Sequence, residues 1–188
     1  MSGMGADAFQ AEFEGVFAPV ADAIGLLRRR STRRLCWTYG RGALALAFDF
    51  ALNPKATGLL PHYPGEFALT ISLPGNSPSP LATVVSLFQY TTAAEVDAYV
   101  AVEDRALANF VAGNPAAATL FPPDLRRPAP NVAQWCHYVT RDDVRAWAQW
   151  YAGLIPLWIP RYLDAPESLE DWCWRVLWKD QKRDNGTA

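Results

Sequence analysis

The sequence predicts a single α+β domain over residues 1–188, in which helices pack on one face of an antiparallel sheet. Apolar residues recur every three or four positions near both ends of the chain, and every second position between residues 34 and 90. No long linker divides the chain, and its 51% apolar residues suffice for a sizeable core. Residues 1–6 and 180–188 are predicted to be flexible tails.

The first helix is predicted over residues 7–27. Its apolar stripe consists of Phe9, Phe13, Phe17, Val20, Ile24 and Leu27. Pro19 lacks a backbone donor, so a kink or a break into two shorter helices is expected near Ala18. Five arginines follow within residues 28–34, and part of this run would oppose the negative end of the helix dipole.

A four-stranded antiparallel meander is predicted next, with a short fifth strand further along the chain. The plainest alternation covers residues 44–52, and two glycines within residues 40–42 favour a hairpin with the preceding aromatic run. The predicted strands are 35–39, 44–52, 67–73, 84–90 and 134–139.

Two later helices begin at recognisable capping boxes. Thr92 with Glu95 opens one helix, which Gly113 closes, and Thr140 with Asp143 opens the next. These helices are expected to pack on one face of the sheet.

Prolines predict where the C-terminal helices end and begin. Pro156 and Pro160 are expected to end or bend the helix that starts after Thr140. The last helix is predicted to begin near Pro166, with Asp164 and Glu167 placed to cap it.

Composition indicates a cytoplasmic protein with no overall attraction to nucleic acid or membranes. Seventeen basic and nineteen acidic residues leave a net charge of -2, and no window approaches eighteen uninterrupted apolar residues. Cys36, Cys136 and Cys173 form no C-x-x-C pair and lie beside tryptophans, which predicts reduced, buried thiols.

Familiar catalytic and cofactor motifs are absent from the sequence, so no cofactor or metal is expected. The two histidines are His62 and His137. Because neighbours on a strand point to opposite faces, Cys136 is predicted to be a core residue and His137 a partly exposed one. A catalytic role for His137 is the lesser alternative.

Two acidic residues could contribute to a site. Glu66 lies four residues after His62, and their loop admits three interpretations: a structural turn, a partner contact that includes Tyr63, or an acid–base pair. Asp49 alternates with large apolar residues, which favours a position on the solvent face.

The arginine run and the tryptophans are the candidate recognition elements. The run is interpreted as a solvated helix end, with contact to an acidic partner or to nucleic acid as alternatives. Trp150 and Trp174 lie off the apolar stripes of their helices, which indicates either burial on two sides or an exposed protein-binding patch.

The layout of residues 9–175 resembles small bacterial domain-of-unknown-function families. The resemblance rests on the aromatic hairpin, on the Pro-Gly-Glu-Phe turn at residues 64–67 and on the Ile-Pro-Arg-Tyr-Leu segment at residues 159–163. Some members of these families occur beside polymorphic toxins and are regarded as immunity proteins. The resemblance therefore implies a binding function and supplies no catalytic set.

The leading hypothesis is a non-enzymatic cytoplasmic domain that binds a protein partner, in its specific form an immunity protein that neutralises a cognate bacterial toxin. The candidate contact residues are Arg28, Arg29, Arg30, Arg33, His62, Tyr63, Glu66, Trp150 and Trp174. The alternative is a small enzyme or ligand-binding domain, with Asp49, His62 or Glu66 in a pocket between the sheet and the C-terminal helices. An assembly role for exposed aromatic residues is a third hypothesis.

Overall fold

The structure is a computed structural model that describes residues 4–29, 35–40, 45–53, 65–73, 83–113, 115, 135–173 and 175. The helices are α1 (Ala6–Ala23), α2 (Ala93–Gly113) and α3 (Arg141–Asp164). The strands are β1 (Leu27–Arg29), β2 (Leu35–Tyr39), β3 (Leu46–Asn53), β4 (Gly65–Ser72), β5 (Val84–Val85) and β6 (Cys136–Tyr138). None of the helices in these ranges has the length and apolar run needed to cross a bilayer.

The described strands form one antiparallel sheet in the order β1-β2-β3-β4-β5, which confirms the predicted α+β class. Strand β4 has two partners along its outer edge. β5 pairs with its end at Ile71 and Ser72, whereas β6 pairs with its beginning at Gly65, Glu66 and Phe67. The meander therefore continues to β5, and the predicted late strand joins it at the far end of β4.

One face of the sheet carries the large side chains and receives α1 and α3. Trp37 pairs with Phe48, and Phe48 pairs with Ile71, so the three lie on the same face. The ring of Phe13 on α1 lies 4.8 Å from that of Phe50, which in turn meets the α3 residue Tyr151 at 5.1 Å. This interlocked aromatic layer, together with the direct packing of α1 on α3, forms the core.

Helix α1 ends earlier than predicted and is not broken by Pro19. Gly25 adopts a φ of 77°, a left-handed conformation that suits glycine and turns the chain out of the helix. Pro19 has no N–H to donate to the carbonyl of Gly15. Because both residues are exposed, water can hydrogen-bond to that carbonyl instead. The prediction that the helix continues to Leu27 is wrong. It ends at Ala23, and Leu27–Arg29 forms strand β1.

Helix α1 begins close to the start of the described residues. Gly5 is the N-cap of the helix, and Met4 packs against the core.

The predicted strand 84–90 is a strand only at Val84–Val85. Ser86 and Gln89 form a capping box that opens a 3-10 turn at Leu87–Tyr90. The Leu87 carbonyl accepts a hydrogen bond of 2.8 Å from the indole N–H of Trp158 on α3. Contact with α3 thus replaces strand pairing over this segment.

Both predicted capping boxes are present, but α3 continues through its two prolines to Asp164. Thr140 and Asp143 cap α3 reciprocally, and Thr92 and Glu95 exchange hydrogen bonds at the start of α2. Trp158 follows Pro156 by two residues, and Tyr162 follows Pro160 by two. Their rings stack at 5.4 Å on the core side of α3. Packing on that side keeps the chain helical where the prolines remove backbone bonds.

The turn after α3 is capped differently from the prediction. The hydroxyl of Ser168 accepts the backbone N–H of Asp171 at 3.1 Å, and the residues that follow Ser168 turn helical. Asp164 is instead the last residue of α3, and Glu167 forms an ion pair with Arg175 at 2.7 Å.

A bidentate ion pair joins the start of α2 to the end of α3. Arg161 donates to both carboxylate oxygens of Glu95, at 2.7 and 3.0 Å, and to the Tyr90 carbonyl at 2.9 Å. The hydrogen bond from Arg161 lowers the pKa of Glu95 from 4.5 to about 2.

This pair predicts an acid dependence of stability. Because the pKa of Glu95 is lowered in the folded state, the ionised carboxylate stabilises the folded protein. This contribution to the free energy of unfolding is present above pH 4.5 and is lost as pH falls toward 2. With both groups partly exposed, we expect the loss to be on the order of 1 to 2 kcal/mol. Urea unfolding between pH 7 and about 2.5 should show this loss of unfolding free energy in the wild type but not in Arg161→Gln. Arg145→Gln removes a residue of an exposed ion pair, so its pH profile should follow that of the wild type. Parallel pH profiles for all three would contradict this role.

A second prediction concerns Gly65, which lies opposite Tyr138 in the pairing of β4 with β6. A Cβ atom at this position would overlap the buried ring of Tyr138. We expect Gly65→Ala to lower the free energy of unfolding by about 1 to 3 kcal/mol, the usual cost of overpacking. Gly153→Ala is the control, because that helical glycine has open space around it and should gain about 0.5 to 1 kcal/mol. Equal urea midpoints for the two variants would show that the ring moves aside freely.

Candidate functional site

Strand β6 and helix α2 bring three ionisable side chains together at one edge of the sheet. Glu66 on β4 is the direct partner of His137 on β6, so both side chains lie on the same face. Glu103 on α2 approaches His137 from the other side of β6. We call these three residues the imidazole–carboxylate cluster.

Glu103 is the organising member of this cluster. Its Oε2 accepts the backbone N–H of His137 at 3.0 Å, and its Oε1 forms a short hydrogen bond with Nδ1 of the same residue. Nε2 of His137 lies 4.0 Å from Oε2 of Glu66. The imidazole is therefore positioned between two carboxylates.

The prediction that His137 is partly exposed is wrong. Only 9% of His137 and 1% of Glu103 are exposed, because β6 lies between β4 and α2 and all three β6 residues are buried. A buried carboxylate is costly unless donors surround it, and His137 supplies two. The burial of Glu103 thus depends on its hydrogen bonds to His137.

The hydrogen bond to Glu103 also determines what the imidazole can do chemically. A neutral His137 that donates from Nδ1 carries its lone pair on Nε2, the nitrogen that faces Glu66. In that tautomer Nε2 is the ring atom that can accept a hydrogen bond from a ligand. The sequence pointed to His62 as the possible partner of Glu66, and His62 lies outside the described residues, whereas His137 is the imidazole seen beside Glu66.

Cys136, next to His137, faces the opposite way and is a core residue as predicted. Its thiol lies 3.5 Å from the Tyr151 hydroxyl and 3.8 Å from that of Tyr99. Burial raises the pKa of Cys136 and of both tyrosines, so all three stay protonated near neutral pH. Cys36 and Cys173 are also free thiols but are only half-buried, which corrects the prediction for those two.

Asp49 and Glu66, two of the three residues that the alternative hypothesis offers for a pocket, do not lie close together. Asp49 pairs with Thr70, which lies four residues from Glu66 along β4, so the two acids are about 13 Å apart along the strand direction. Both lie on the sheet face opposite α1 and α3, because they alternate with the aromatic residues. Asp49 is half-buried on that face rather than fully in solvent.

At the opposite edge of the sheet, β1 divides its residues between the interior and solvent. Nε of Arg28 donates to Glu14 on α1 at 2.6 Å, and its guanidinium lies 4.9 Å from the centre of the Trp37 ring. Leu27 is 71% exposed and Arg29 is exposed as well. Arg28, a predicted contact residue, is therefore held within the domain, whereas Leu27 and Arg29 face outward.

Trp150 lies within the packed part of the domain. It is half-buried, its indole N–H donates to the Glu95 carbonyl at 3.2 Å, and its ring contacts those of Tyr99 and Tyr151. This position matches burial on two sides, one of the two alternatives for this residue. The remaining predicted contact residues, Arg30, Arg33, Tyr63 and Trp174, lie outside the described residues, as does His62.

The sequence reasoning missed Glu103, although a signal for it exists. Glu103 follows the buried Tyr99 by four residues and precedes the buried Leu107 by four, so it occupies the apolar stripe of α2. An acid in such a stripe needs a buried partner, and the small number of histidines leaves few candidates.

Comparison with protein-family models, with curated proteins and with solved structures finds no match for this chain. The described residues contain no group of three or more His, Cys, Asp or Glu side chains arranged to hold a metal ion.

The cluster predicts strong coupling between Glu103 and His137. Replacing either residue by alanine should cost about 3 kcal/mol or more, because the other loses its partner in a buried environment. The double variant should cost about 1 to 3 kcal/mol less than the sum of the two single changes. Urea unfolding of the four proteins measures this coupling.

Arg105→Ala combined with His137→Ala provides the matched comparison, since Arg105 is exposed on the same helix. Its effects should add to within about 0.5 kcal/mol. Additive costs for Glu103 and His137 would contradict the coupling.

Proposed function

We propose that this protein is a non-enzymatic cytoplasmic binding domain that neutralises a bacterial toxin by covering part of its surface. The observation that carries the proposal is the outer side of β1, where an exposed leucine stands beside an exposed arginine at the end of the sheet. Apolar contact combined with guanidinium groups is characteristic of protein interfaces.

The rigid support behind this surface favours the same function. β1 is paired with β2 over its whole length, and Arg28 ties it to α1 through Glu14. A surface held in place before binding loses less conformational entropy when a partner docks. The resemblance to toxin-associated families supplies the proposed class of partner.

Growth protection tests this proposal. The protein encoded by the reading frame next to the gene for this chain is expressed in a host cell, alone and together with the chain. We expect growth arrest by the first protein alone, relief of that arrest by the chain, and a stoichiometric complex by isothermal titration calorimetry.

A toxin from an unrelated locus is the specificity control, and the chain should leave its effect unchanged. Growth arrest by the neighbouring protein that the chain fails to relieve, with no heat of binding, would overturn the proposal.

A second candidate function, a ligand-binding or small enzymatic domain, rests on the imidazole–carboxylate cluster. The side chains of His137 and Glu66 retain slight exposure, so a small polar ligand could reach this pair while Glu103 orients the ring. A thermal-shift screen tests this candidate. A ligand that raises the melting temperature of the wild type and not that of Glu66→Gln would favour it over toxin binding.

A further inference from the structure

We infer that the sheet edge formed by Glu66, His137 and Trp135 binds the ammonium group of an organic amine, with Glu66 as the charged contact and the indole of Trp135 as the aromatic contact. This inference rests on the second candidate function, since it names the class of ligand that the imidazole–carboxylate cluster would take. Three features of the described residues support it.

The first feature is the pair of acceptors that the cluster presents. Oε2 of Glu66 and Nε2 of His137 lie 4.0 Å apart, which is too far for a direct hydrogen bond. In the tautomer that donates from Nδ1 to Glu103, both of these atoms are acceptors. A nitrogen about 2.8 Å from each atom could donate to both, with roughly 90° between the two hydrogen bonds. A carboxylate has about four acceptor positions, so Glu66 can accept this donor in addition to its contacts within the chain.

The second feature is the charge of the cluster. The carboxylates of Glu66 and Glu103 flank the one imidazole of His137, so the three residues keep a net negative charge whether the ring is neutral or protonated. Glu103 is buried, so salt screens its charge less than that of a surface carboxylate. The cluster therefore attracts a cation and repels an anion. An ammonium group meets both requirements, because it is cationic and carries several donors on one nitrogen.

The third feature is the position of Trp135, two residues before His137. Extending the register of β6 on β4 by one residue places Trp135 opposite Ala68, on the face that Glu66 and His137 share. Trp135 and Glu66 are then diagonal neighbours, about 7 to 8 Å apart and within reach of a long and an aromatic side chain. Trp135 is 41% exposed, so its indole is accessible to a ligand. The face of an indole attracts an ammonium group through a cation–π interaction.

The small exposure of the acceptors limits which part of a ligand can enter. Only 11% of the His137 side chain and 16% of the Glu66 side chain are exposed. This opening suits a single head group, whose apolar chain would then lie outward beside Trp135.

An NMR titration of the full chain tests the inference with three probes that differ in the charge of the head group: n-butylammonium, n-butanol and butyrate. The indole N–H of Trp135 and the backbone amide of His137 report binding, and the indole N–H of Trp158, which donates to the Leu87 carbonyl in the core, is the internal reference. The variants are Glu66→Gln and Trp135→Leu. Asp142→Asn is the matched control for the charge, because Asp142 is an exposed acid on α3.

We expect n-butylammonium to shift the Trp135 and His137 resonances of the wild type with a Kd of about 1 to 10 mM, and to leave Trp158 unchanged. Asp142→Asn should bind it as the wild type does. Glu66→Gln should bind it roughly tenfold more weakly and should no longer distinguish it from n-butanol. Trp135→Leu should bind it severalfold more weakly, as the His137 amide reports.

The ammonium group can belong to a free amine or to a lysine side chain of a protein partner. Tighter binding of Nα-acetyl-lysinamide than of n-butylammonium would support the lysine. Equal or weaker binding would support the free amine.

Equal binding of n-butylammonium by Glu66→Gln and Asp142→Asn would overturn the inference. So would tighter binding of n-butanol or butyrate by the wild type, or unchanged Trp135 and His137 resonances up to about 0.1 M n-butylammonium. Failure of the second candidate function is distinguishable, because no compound of the thermal-shift screen would then lose its effect in Glu66→Gln. A neutral or anionic compound that acts through Glu66 would support that function and reject the ammonium ligand.

Discussion

The packing of one aromatic sheet face against α1 and α3 is the constraint on which the rest of this structure depends. Phe13 contacts Trp37 and Phe50 on neighbouring strands and Tyr151 on α3, so one side chain joins three elements. A register slip of one residue would turn every large side chain of a strand away from this layer. The core therefore determines the pairing of the strands, and the pairing determines which residues remain for other roles.

At each edge of the sheet, strand pairing leaves residues that do not belong to the aromatic core. At the β6 edge, α2 covers the strand and places the carboxylate of Glu103 against the backbone and the ring of His137. At the β1 edge, the same alternation directs Arg28 inward and leaves Leu27 and Arg29 outside. One edge is thus closed by buried hydrogen bonds between Glu103 and His137, whereas the other presents an apolar and a basic group to solvent.

These two edges have different consequences for function. The cluster at β6 orients an imidazole, but its hydrogen bonds also hold α2 on the sheet. A ligand that broke these hydrogen bonds would therefore weaken the packing of α2. At β1 the structural role falls to Arg28 alone, and its neighbours can be changed without loss of a buried partner. This separation is why the β1 surface is the better basis for a binding function, and why substitutions there can be interpreted as effects on recognition.

Local patterns in the sequence determined the helix starts and the identity of the core face. Some features depend only on residues close together in the sequence: the capping residues of α2 and α3, the apolar stripe of α1 and the alternation along β3. Residue spacing is therefore enough to predict them. Tertiary structure decided what depends on distant contacts. Packing kept α3 helical through Pro156, and the turn at Gly25 ended α1 so that Leu27–Arg29 could pair with β2. It also placed His137 beside Glu103, 34 residues away, because only the folded chain can cover both sides of β6 and so determine which polar side chains must satisfy one another.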